Sequence, residues 1–520
     1  MNVFCKIIWL SLSLGMIFCY QTAAGVSHIE TEDTTAIKIN ISKKDKFQTI
    51  AHFGASDAWS CQFVGLWPEQ KRRAIASLLF SKDFDEEGNP KGIGLSIWRF
   101  NIGAGSAEQG DQSGIKDEWR RAESFLNPDG SYNWEKQAGQ VWFAQVAQEF
   151  GVEYLLAFPN SPPVKMTRNG RAYAENGRSN LSAQNFDDYA NYLGEVIHGL
   201  QEKGLKVDYI SPVNEPQWDW SDGGQEGSPF WNSEIAGIVR ELDRTLSAKT
   251  LNTKIDIAEA GKINYLYEAA DKPGRGQQVA FFFDPESDNY IGNLSHVGKV
   301  ISAHSYFTTS PDSAAAQMRD TLNSKIQSID GLEYWMSEYC ILGGNAGEID
   351  GNGRDLGMES ALYMAKVIHS DLTIANATAW HWWLAVSPYD YKDGLVYIDK
   401  NKENGAFYES KMLWTLGNYS RFIRPGYERV GVNLEGMEVE SADLLVSAYQ
   451  STDDKKLVYV IINSASVPVN AQISNEGKEV ANFKSYITSE EHNLSPVELG
   501  KGGNDIIIPA RSVLTIVSGE

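Results

Sequence analysis

Short apolar runs alternate with longer helical patterns between about residue 50 and residue 420 of this chain. Eight of the apolar runs have the length and residue types of strands. They cover residues 50–55, 94–100, 154–158, 209–213, 255–258, 300–304, 334–337 and 377–382. Strands and helices that alternate eight times are what a (β/α)8 barrel requires, so we predict this fold for residues 50–423.

One of the intervening helices is well marked. Between Phe186 and Leu200, apolar residues recur at the i, i+3, i+4, i+7 spacing of an amphipathic helix. Ser182 is a suitable N-cap and Gly204 a suitable stop. A strand at residues 207–213 follows almost at once, as expected of one barrel unit.

The pattern changes after about Pro425, where short strands lie between polar turns and no long helix is predicted. Residues 36–41 alternate apolar and polar side chains in the same way. Together these segments are typical of a β-sandwich built from both ends of the chain, with residues 25–49 and 424–520 contributing. The C-terminal strands are predicted at 444–449, 457–462, 467–473, 483–487, 506–508 and 513–517.

The first 24 residues have the features of a cleaved secretory signal. Lys6 supplies a positive charge, residues 7–18 are apolar but too short to span a bilayer, and small residues at 22–24 offer a cleavage site. We therefore expect a secreted or periplasmic protein without a transmembrane segment in its mature form. A lipoprotein anchor at Cys19 is disfavoured because Phe18 precedes it.

The formal net charge of -22 disfavours nucleic acid and anionic membranes as partners, and leaves neutral polymers. The chain has 15 tryptophans and 23 tyrosines, whose flat faces suit sugar rings even though most will be core. We expect a monomer.

The cysteine content predicts no disulfide scaffold. Removal of the leader would leave Cys61 and Cys340, which either pair or lie apart as buried thiols. No cluster of histidine and cysteine has the spacing of a metal site, so we predict no metal.

Polar or aromatic residues recur where the predicted barrel strands end, which is where barrel enzymes place functional side chains. Strands commonly end in polar residues, so the set is more informative than any one member. The set is Asp57, Arg99, Asn160, Asn214, Glu215, Glu259, His304, Glu338 and Trp382.

Glu215 and Glu338 are the strongest pair in this set. Each ends an apolar strand, the fourth and the seventh, and Pro216 keeps the backbone at Glu215 out of the helical region. Two facing carboxylates are the minimum equipment for cleaving a glycosidic bond. We predict that Glu215 is the general acid and base and that Glu338 is the nucleophile.

The remaining residues have supporting roles as hypotheses. Asn214 would bind the sugar 2-hydroxyl. Arg99 would hold Glu338 ionised or form a structural ion pair, and His304 would donate to Glu338 or to a sugar, or be a core histidine. Strand alternation directs Trp380 and Trp382 to one face and Trp383 to the other, and we predict Trp382 as the floor of the sugar site.

Residues in the loop after Glu215 either line the cleft or face solvent. They are Trp218, Trp220, Gln225 and Glu226. Of these, Trp218 is our substrate-binding candidate. From the strand ends we also predict substrate-binding residues, which are Asp57, Arg99, Asn160, Asn214, His304 and Trp382. Glu259 is a lesser candidate for the acid.

The chain resembles glycoside hydrolase family 30 of the retaining barrel clan over most of residues 45–520. The resemblance rests on Gly-Ala-Ser-Asp-Ala at 54–58, Trp-Arg-Phe-Asn-Ile-Gly at 98–103, Phe-Pro-Asn-Ser-Pro-Pro at 158–163, Asn-Glu-Pro at 214–216, His-Ser-Tyr at 304–306, Ser-Glu at 337–338 and Asn-Tyr-Ser-Arg-Phe-Ile-Arg-Pro at 418–425. It implies Glu215 as acid/base, Glu338 as nucleophile, retention of configuration, and no metal or organic cofactor.

Two departures from the family bear on the substrate. Relatives that act on glucosides carry tryptophan at the position of Asn160 and aspartate at that of Ser106, and both side chains hold the equatorial 4-hydroxyl of glucose. Their loss favours a sugar with a different 4-position, such as galactose. The loop at 216–227 is also similar to that of endo-β-1,6-galactanases. We therefore expect endo-hydrolysis of β-1,6-galactan in arabinogalactan. A β-1,6-glucanase, a xylanase and an inactive glycan-binding barrel are the alternatives.

Overall fold

The computed structural model describes residues 36–436, 443–480, 482–500 and 505–519. The predicted signal sequence and the segment before residue 36 lie outside the described residues. In the described part of the chain, two extended sheets organise the molecule, one closed into a barrel and one beside it.

The strands are, in chain order, β1 Ile37–Thr49, β2 His52–Ser56, β3 Ile97–Ile102, β4 Tyr154–Pro159, β5 Tyr209–Ile210, β6 Lys254–Ala260, β7 Val297–His304, β8 Glu333–Glu338, β9 Ala379–Ser387, β10 Gly394–Ile398, β11 Phe407–Glu409, β12 Glu428–Glu435, β13 Leu444–Gln450, β14 Leu457–Asn463, β15 Val469–Asn475, β16 Lys478–Glu479, β17 Phe483–Thr488, β18 Ser495–Pro496, β19 Asp505–Ile508 and β20 Ser512–Ser518. The helices are α1 Cys61–Val64, α2 Glu69–Phe80, α3 Ser106–Gln109, α4 Ala138–Glu149, α5 Phe186–Glu202, α6 Asn232–Ala248, α7 Gln278–Phe283, α8 Asp312–Gln327, α9 Met358–Thr373 and α10 Lys411–Ser420.

Strands β2 to β9 form a closed parallel barrel. Each pairs with the next along the chain, and β9 pairs in parallel with both β8 and β2, which closes the ring. Strands β10 and β11 extend the sheet beyond β9. The strands are buried almost throughout, as expected when helices cover the outside of a parallel barrel. The predicted (β/α)8 fold is confirmed.

Helix α5 and the strand after it differ slightly from the sequence prediction. Ser182 stands at the N-cap position of a 3₁₀ turn at Ala183–Asn185, without a capping bond from its side chain, and α5 begins directly after that turn. Gly204 lies just past the helix end with φ of 83°, the left-handed conformation that favours glycine. The predicted strand at 207–213 is reduced to β5, because the chain turns away early to form the loop that carries Glu215.

The all-β side domain is one continuous sheet with the strand order β16-β15-β1-β12-β13-β14-β20-β17-β18, and β19 pairs with β15. Strand β1 joins in parallel to β15 and antiparallel to β12, so both ends of the described chain build it, as predicted. Strand β12 was missed by the sequence analysis. Its side chains alternate in burial only over part of its length, which weakens the period-2 signal.

Helix α10 connects the barrel to the side sheet. Asn418 on α10 is fully buried and donates to the Thr515 hydroxyl at 2.9 Å and to the Val513 carbonyl at 3.2 Å. Its carbonyl oxygen accepts from Thr488 at 2.7 Å. These bonds satisfy every polar atom of the side chain amide and fix the sheet against the barrel.

Among the described helices, none combines the length and the apolar character needed to cross a membrane.

Candidate active site

A cavity of about 710 Å³ lies at the carboxyl end of the barrel strands. Glu338 is the last residue of β8 and His304 the last of β7, while Asn214 and Glu215 follow β5. Parallel strands all end at the same rim, so residues that are far apart in sequence meet there. The cavity is lined by Asn214, Glu215, Trp218, Asp219, Trp220, Ser221, Asp222, Gln225, Tyr306, Phe307, Glu338, Cys340, Leu342 and Trp383.

The two glutamates predicted from the sequence face one another in this cavity. One carboxylate oxygen of Glu215, one of Glu338 and a ring nitrogen of His304 all lie within 4.8 Å of one another. In retaining glycosidases the two carboxyl groups stand about 5–5.5 Å apart, whereas inverting enzymes need about 6.5–9.5 Å to admit a water. The short separation therefore supports a double displacement.

The backbone at Glu215 is held in an unusual conformation. Its φ is 45°, in the left-handed region that side chains other than glycine rarely adopt. The Glu215 amide donates to the Glu259 carbonyl at 2.9 Å, and the Glu215 carbonyl accepts from the Trp220 indole at 3.1 Å. Such a conformation costs about 1 kcal/mol or more and is maintained by the surrounding hydrogen bonds. It directs the Glu215 side chain into the cavity.

Glu338 is partnered on both of its oxygens. Arg99 donates to Oε2 at 3.0 Å, and the Tyr306 hydroxyl donates to Oε1 at 3.0 Å. Burial raises the pKa of Glu338 from its ordinary value, while the positive charges of His304 and Arg99 oppose that rise. Arg99 itself has no exposed surface and lies over the Phe158 ring at 4.4 Å.

His304 lies between three carboxylates. Its Nδ1 is 2.9 Å from Glu215 and 3.5 Å from Glu338, and its Nε2 is 2.8 Å from Glu259. Burial lowers the pKa of His304, but the Glu338 charge and the hydrogen bonds to Glu215 and Glu259 outweigh that effect and raise it to about 10. At neutral pH the ring is therefore an imidazolium that donates from both nitrogens.

Two amide side chains lie beside the acid/base candidate. Asn214 donates to the Asn160 carbonyl oxygen at 3.1 Å. Asn160 Nδ2 and Asn214 Oδ1 are buried, and no described residue gives either atom a hydrogen-bond partner. Unpaired buried polar atoms cost free energy. Asn160 Nδ2 is therefore suited to donate to a sugar hydroxyl, and Asn214 Oδ1 to accept from one.

Asp57 lies behind the cavity rather than in its lining. Its Oδ1 accepts from the backbone N–H of Asn101 at 2.8 Å and from the side-chain amide of Gln140 at 3.1 Å. Burial raises the pKa of Asp57 to about 8. The structure therefore places this predicted substrate-binding residue among the supports of β3.

Trp382 is also outside the lining, and Trp383 takes its place. Trp382 is fully buried and donates from Nε1 to the Asp393 carbonyl at 2.7 Å. The register of β9 against β2 shifts by one residue between Trp382 and Leu384, which interrupts the alternation at Trp383. We therefore transfer the hypothesis of an aromatic floor from Trp382 to Trp383.

Of the four loop residues singled out after Glu215, Trp218, Trp220 and Gln225 line the cavity. The fourth, Glu226, points inward and accepts from the Ser106 hydroxyl at 2.6 Å and from the Ala104 amide at 2.9 Å. Burial raises the pKa of Glu226 to about 7. This contact joins the loops that follow β3 and β5.

The sequence analysis assigned no role to Tyr306 and gave Glu259 only a minor one. Tyr306 stands in the His-Ser-Tyr motif, two residues beyond the end of β7, so its position was visible although its contact with Glu338 was not. Glu259 has no exposed surface and contacts both Arg99 and His304. No pattern in the sequence predicts such a contact between distant strands.

Cys61 and Cys340 are both free and buried, so the alternative of two separate thiols is the one that the structure contains. Cys340 lines the cavity, with its sulfur 3.8 Å from the Tyr306 hydroxyl.

Among the described residues, Glu215, His304 and Glu338 could each turn one ligand atom toward a common cation. The donor set does not fit a metal, however. Both nitrogens of His304 are occupied by carboxylates, and the Arg99 guanidinium already places a positive charge at Glu338. We therefore derive no metal-dependent step.

The family profile of O-glycosyl hydrolase family 30 matches residues 35–397 of the chain. The match covers well over half of the 520 residues and includes both glutamates and the whole catalytic rim. This chain belongs to O-glycosyl hydrolase family 30.

Three proteins similar to this family 30 member differ in how closely and over what length they match it. A conserved exported protein from Bacteroides fragilis is 34% identical, with a TM-score of 0.85 over 92% of this chain and 100% of that chain. The glucuronoxylanase XynC of Bacillus subtilis strain 168 is 26% identical over 74% of this chain and 78% of its own length. An exo-β-1,6-galactobiohydrolase from Bifidobacterium longum subsp. longum is 29% identical over 20% of this chain and 7% of its own length.

Replacing Tyr306 with phenylalanine should lower kcat/KM by about 10- to 100-fold, because a charge-assisted hydrogen bond to Glu338 is worth about 1.5–3 kcal/mol. Steady-state kinetics with an aryl β-glycoside would measure the loss, and thermal melting would check the fold. Tyr339→Phe is the matched control, since its buried hydroxyl donates to Glu348 instead. Equal activity of wild type and Tyr306→Phe would contradict the role of Tyr306.

Proposed function

We propose that this protein is a retaining β-glycosidase in which Glu215 is the acid/base and Glu338 the nucleophile. The observation that carries the proposal is the approach of their carboxylates within 4.8 Å in a cavity large enough for several sugar rings. Membership of family 30 establishes a glycoside hydrolase; the residue roles are the proposed part.

In the first step, a Glu338 oxygen attacks the anomeric carbon and forms a covalent glycosyl-enzyme. The bond from that carbon to the leaving oxygen breaks, and Glu215 gives its proton to that oxygen. Arg99 and Tyr306 hold the two Glu338 oxygens, so the carboxylate enters the step with a fixed orientation.

In the second step, Glu215 acts as a carboxylate and takes a proton from water. The water oxygen attacks the anomeric carbon, and Glu338 leaves as a carboxylate. The His304 imidazolium donates toward Glu215, which stabilises the negative charge that Glu215 carries between the two steps. Two inversions at one carbon give net retention of configuration.

The cavity lining supports a neutral glycan as the substrate. Four of the described lining residues are acidic, Glu215, Asp219, Asp222 and Glu338, and none is lysine or arginine. A glycan with carboxylate branches would meet an excess of like charge there, since Lys262, whose Nζ lies 5.2 Å from the Trp218 ring centroid, offsets only part of it. Trp218, Trp220 and Trp383 offer apolar faces for uncharged sugar rings.

Within neutral glycans we propose β-1,6-linked galactan, cleaved internally. The site has Asn160 and Ser106 where glucoside-acting relatives have tryptophan and aspartate, and the Ser106 hydroxyl is already bonded to Glu226. Ser106 is therefore engaged, and Asn160, with its unpartnered Nδ2, offers a sugar hydroxyl a different contact from that of tryptophan. The short match to an exo-β-1,6-galactobiohydrolase supports the sugar and the linkage of this choice, and the internal cleavage is the part that the product test decides.

Xylan is the second candidate, because the glucuronoxylanase XynC matches this chain over much more of its length than the galactobiohydrolase does. The acidic lining argues against substrates that bear glucuronate. A neutral xylan would not meet that objection. An inactive glycan-binding barrel is disfavoured because both glutamates and their partners are in place.

We also propose that the protein is exported. The apolar leader predicted from the sequence supports export, and the similar Bacteroides fragilis protein is described as exported.

The product test places de-arabinosylated arabinogalactan, β-1,6-glucan, glucuronoxylan and an unbranched xylan side by side. We expect short galactose oligomers from the first polymer and no release from glucuronoxylan, measured by mass spectrometry of the soluble products. Glu338→Gln enzyme serves as the control for contaminating activity. Products from glucuronoxylan alone would contradict both the galactan proposal and the argument from the acidic lining.

A further inference from the structure

Glu259 is a third carboxylate at the catalytic centre, and it has no access to the cavity. Its Oε2 accepts from Ser337 at 2.7 Å, from His304 Nε2 at 2.8 Å and from Arg99 at 3.3 Å. Its Oε1 accepts from Ser211 at 3.0 Å. Four donors satisfy a side chain with no exposed surface, so Glu259 does not touch a substrate.

Glu259 is an anion in this setting. Burial alone would raise its pKa, but the Arg99 charge and then the His304 hydrogen bond and charge outweigh burial and hold the pKa well below its usual range. Both cations that contact Glu259 also contact a catalytic glutamate, Arg99 contacting Glu338 and His304 contacting Glu215. If Glu259 served only the fold, Arg99 and His304 would not both need to contact a catalytic glutamate as well.

Burial disfavours the charged forms of the other ionisable groups beside Glu259, Arg99, His304, Glu338 and Glu215. It raises the pKa of Asp57 to about 8 and lowers that of His381. Burial raises the pKa of Asp256, and its Oδ2 accepts from Ser211 and Ser302 at 2.9 Å each. Burial likewise raises the pKa of Tyr306 and that of Cys340. The ionisable groups that contact one another at the centre are therefore the bases Arg99 and His304 and the acids Glu259, Glu338 and Glu215.

We infer that Glu259 is a positioning residue whose negative charge keeps two protons on the Glu215–His304 pair during the first catalytic step. This inference rests on the proposed function. With Glu215 protonated, Arg99 and His304 supply two positive charges, and Glu338 and Glu259 supply two negative ones. The centre is then neutral, which is the favourable state for a buried cluster. Glu259 also binds the His304 Nε2 proton, so Nδ1 is the nitrogen that faces Glu215.

The inference predicts the direction of a pH effect. Glu259→Gln removes one negative charge and leaves the cluster with an excess positive charge. The two-proton form of the Glu215–His304 pair then loses its first proton at lower pH, whichever of the two groups releases it. The basic limb of the pH profile of kcat/KM should move down by about one pH unit or more.

Two further variants distinguish the effect of the Glu259 charge from that of a general disturbance of the buried cluster. Asp256→Asn alters a neighbouring buried acid whose charged form is disfavoured by burial, so the basic limb of this variant should stay within about 0.3 pH unit of wild type. Ser337→Ala keeps the Glu259 charge but removes a donor that neutralises part of it, so the basic limb should move slightly upward. The upward shift remains measurable if Glu259→Gln does not fold.

The experiment measures these pH profiles with an aryl β-glycoside and follows the His304 ring nitrogens by ¹⁵N NMR, assigned by the signal lost in His304→Asn. We expect wild-type His304 to stay protonated at pH 8 and to titrate at lower pH in Glu259→Gln. An active wild type with unshifted profiles and unshifted His304 signals in Glu259→Gln would overturn the inference and leave the proposed function standing. An inactive wild type would refute the proposed function instead, while the NMR titration would still decide the role of Glu259.

Discussion

Replacing Glu338 with glutamine should reduce turnover by about 10⁴-fold or more while leaving the fold intact, because the amide cannot attack the anomeric carbon. Glutamine has nearly the same shape, and its carbonyl oxygen can still accept from one of the two donors, Arg99 or Tyr306, that bind separate oxygens of Glu338. We expect no glycosyl-enzyme in the variant, detected as the absence of a mass increase after reaction with a 2-fluoro aryl glycoside. Wild type should show that mass increase.

The matched control is Glu333→Gln, which makes the same change at the other end of β8, where the side chain accepts from Thr378. Its activity should equal that of wild type. Retention of substantial activity by Glu338→Gln would refute the assignment of the nucleophile. Equal loss in Glu333→Gln and Glu338→Gln would show that the strand, not the carboxylate, was being tested.

Replacing Glu215 with alanine should have an effect that depends on the leaving group. Polysaccharides and alkyl glycosides need protonation of the leaving oxygen, so their cleavage should fall by about 10²- to 10⁴-fold. A dinitrophenyl glycoside needs little protonation, and its first step should be nearly unaffected. Burst kinetics would then reveal accumulation of the glycosyl-enzyme, because the second step lacks its base. The series of leaving groups is its own control.

Added azide makes the two glutamate variants diagnostic. In Glu215→Ala, azide should replace the water that attacks the glycosyl-enzyme and give a β-glycosyl azide. In an alanine variant of Glu338, azide should instead occupy the vacated space and attack the substrate directly, giving the α product. Product NMR distinguishes the two anomers. The same anomer from both variants would contradict the assigned roles.

The barrel, the side sheet and the two glutamates could be predicted from the sequence for a physical reason. Each barrel strand is apolar on both faces, and each ends at one rim, so a one-dimensional pattern of apolar runs places Glu215 and Glu338 together. The placement of Arg99 and His304 at the same rim followed from the same rule.

What the sequence could not predict depends on local irregularities and on contacts between distant strands. Alternation selected Trp382 as the aromatic floor, but the register shift in β9 places Trp383 there. Asp57 ends a strand as expected, yet it turns toward Gln140 instead of the cavity. The contacts of Glu259 with Arg99 and His304 join side chains from three strands, β6, β3 and β7. No spacing along the chain predicts them.

The measurement that tests the central claim most directly is the anomeric configuration of the first product. Proton NMR during the first minutes of hydrolysis of an aryl β-glycoside records the product before mutarotation. The account predicts the β anomer first, since two displacements at one carbon restore the original configuration. The α anomer appearing first would contradict it, because a single displacement by water leaves no place for Glu338 as a nucleophile.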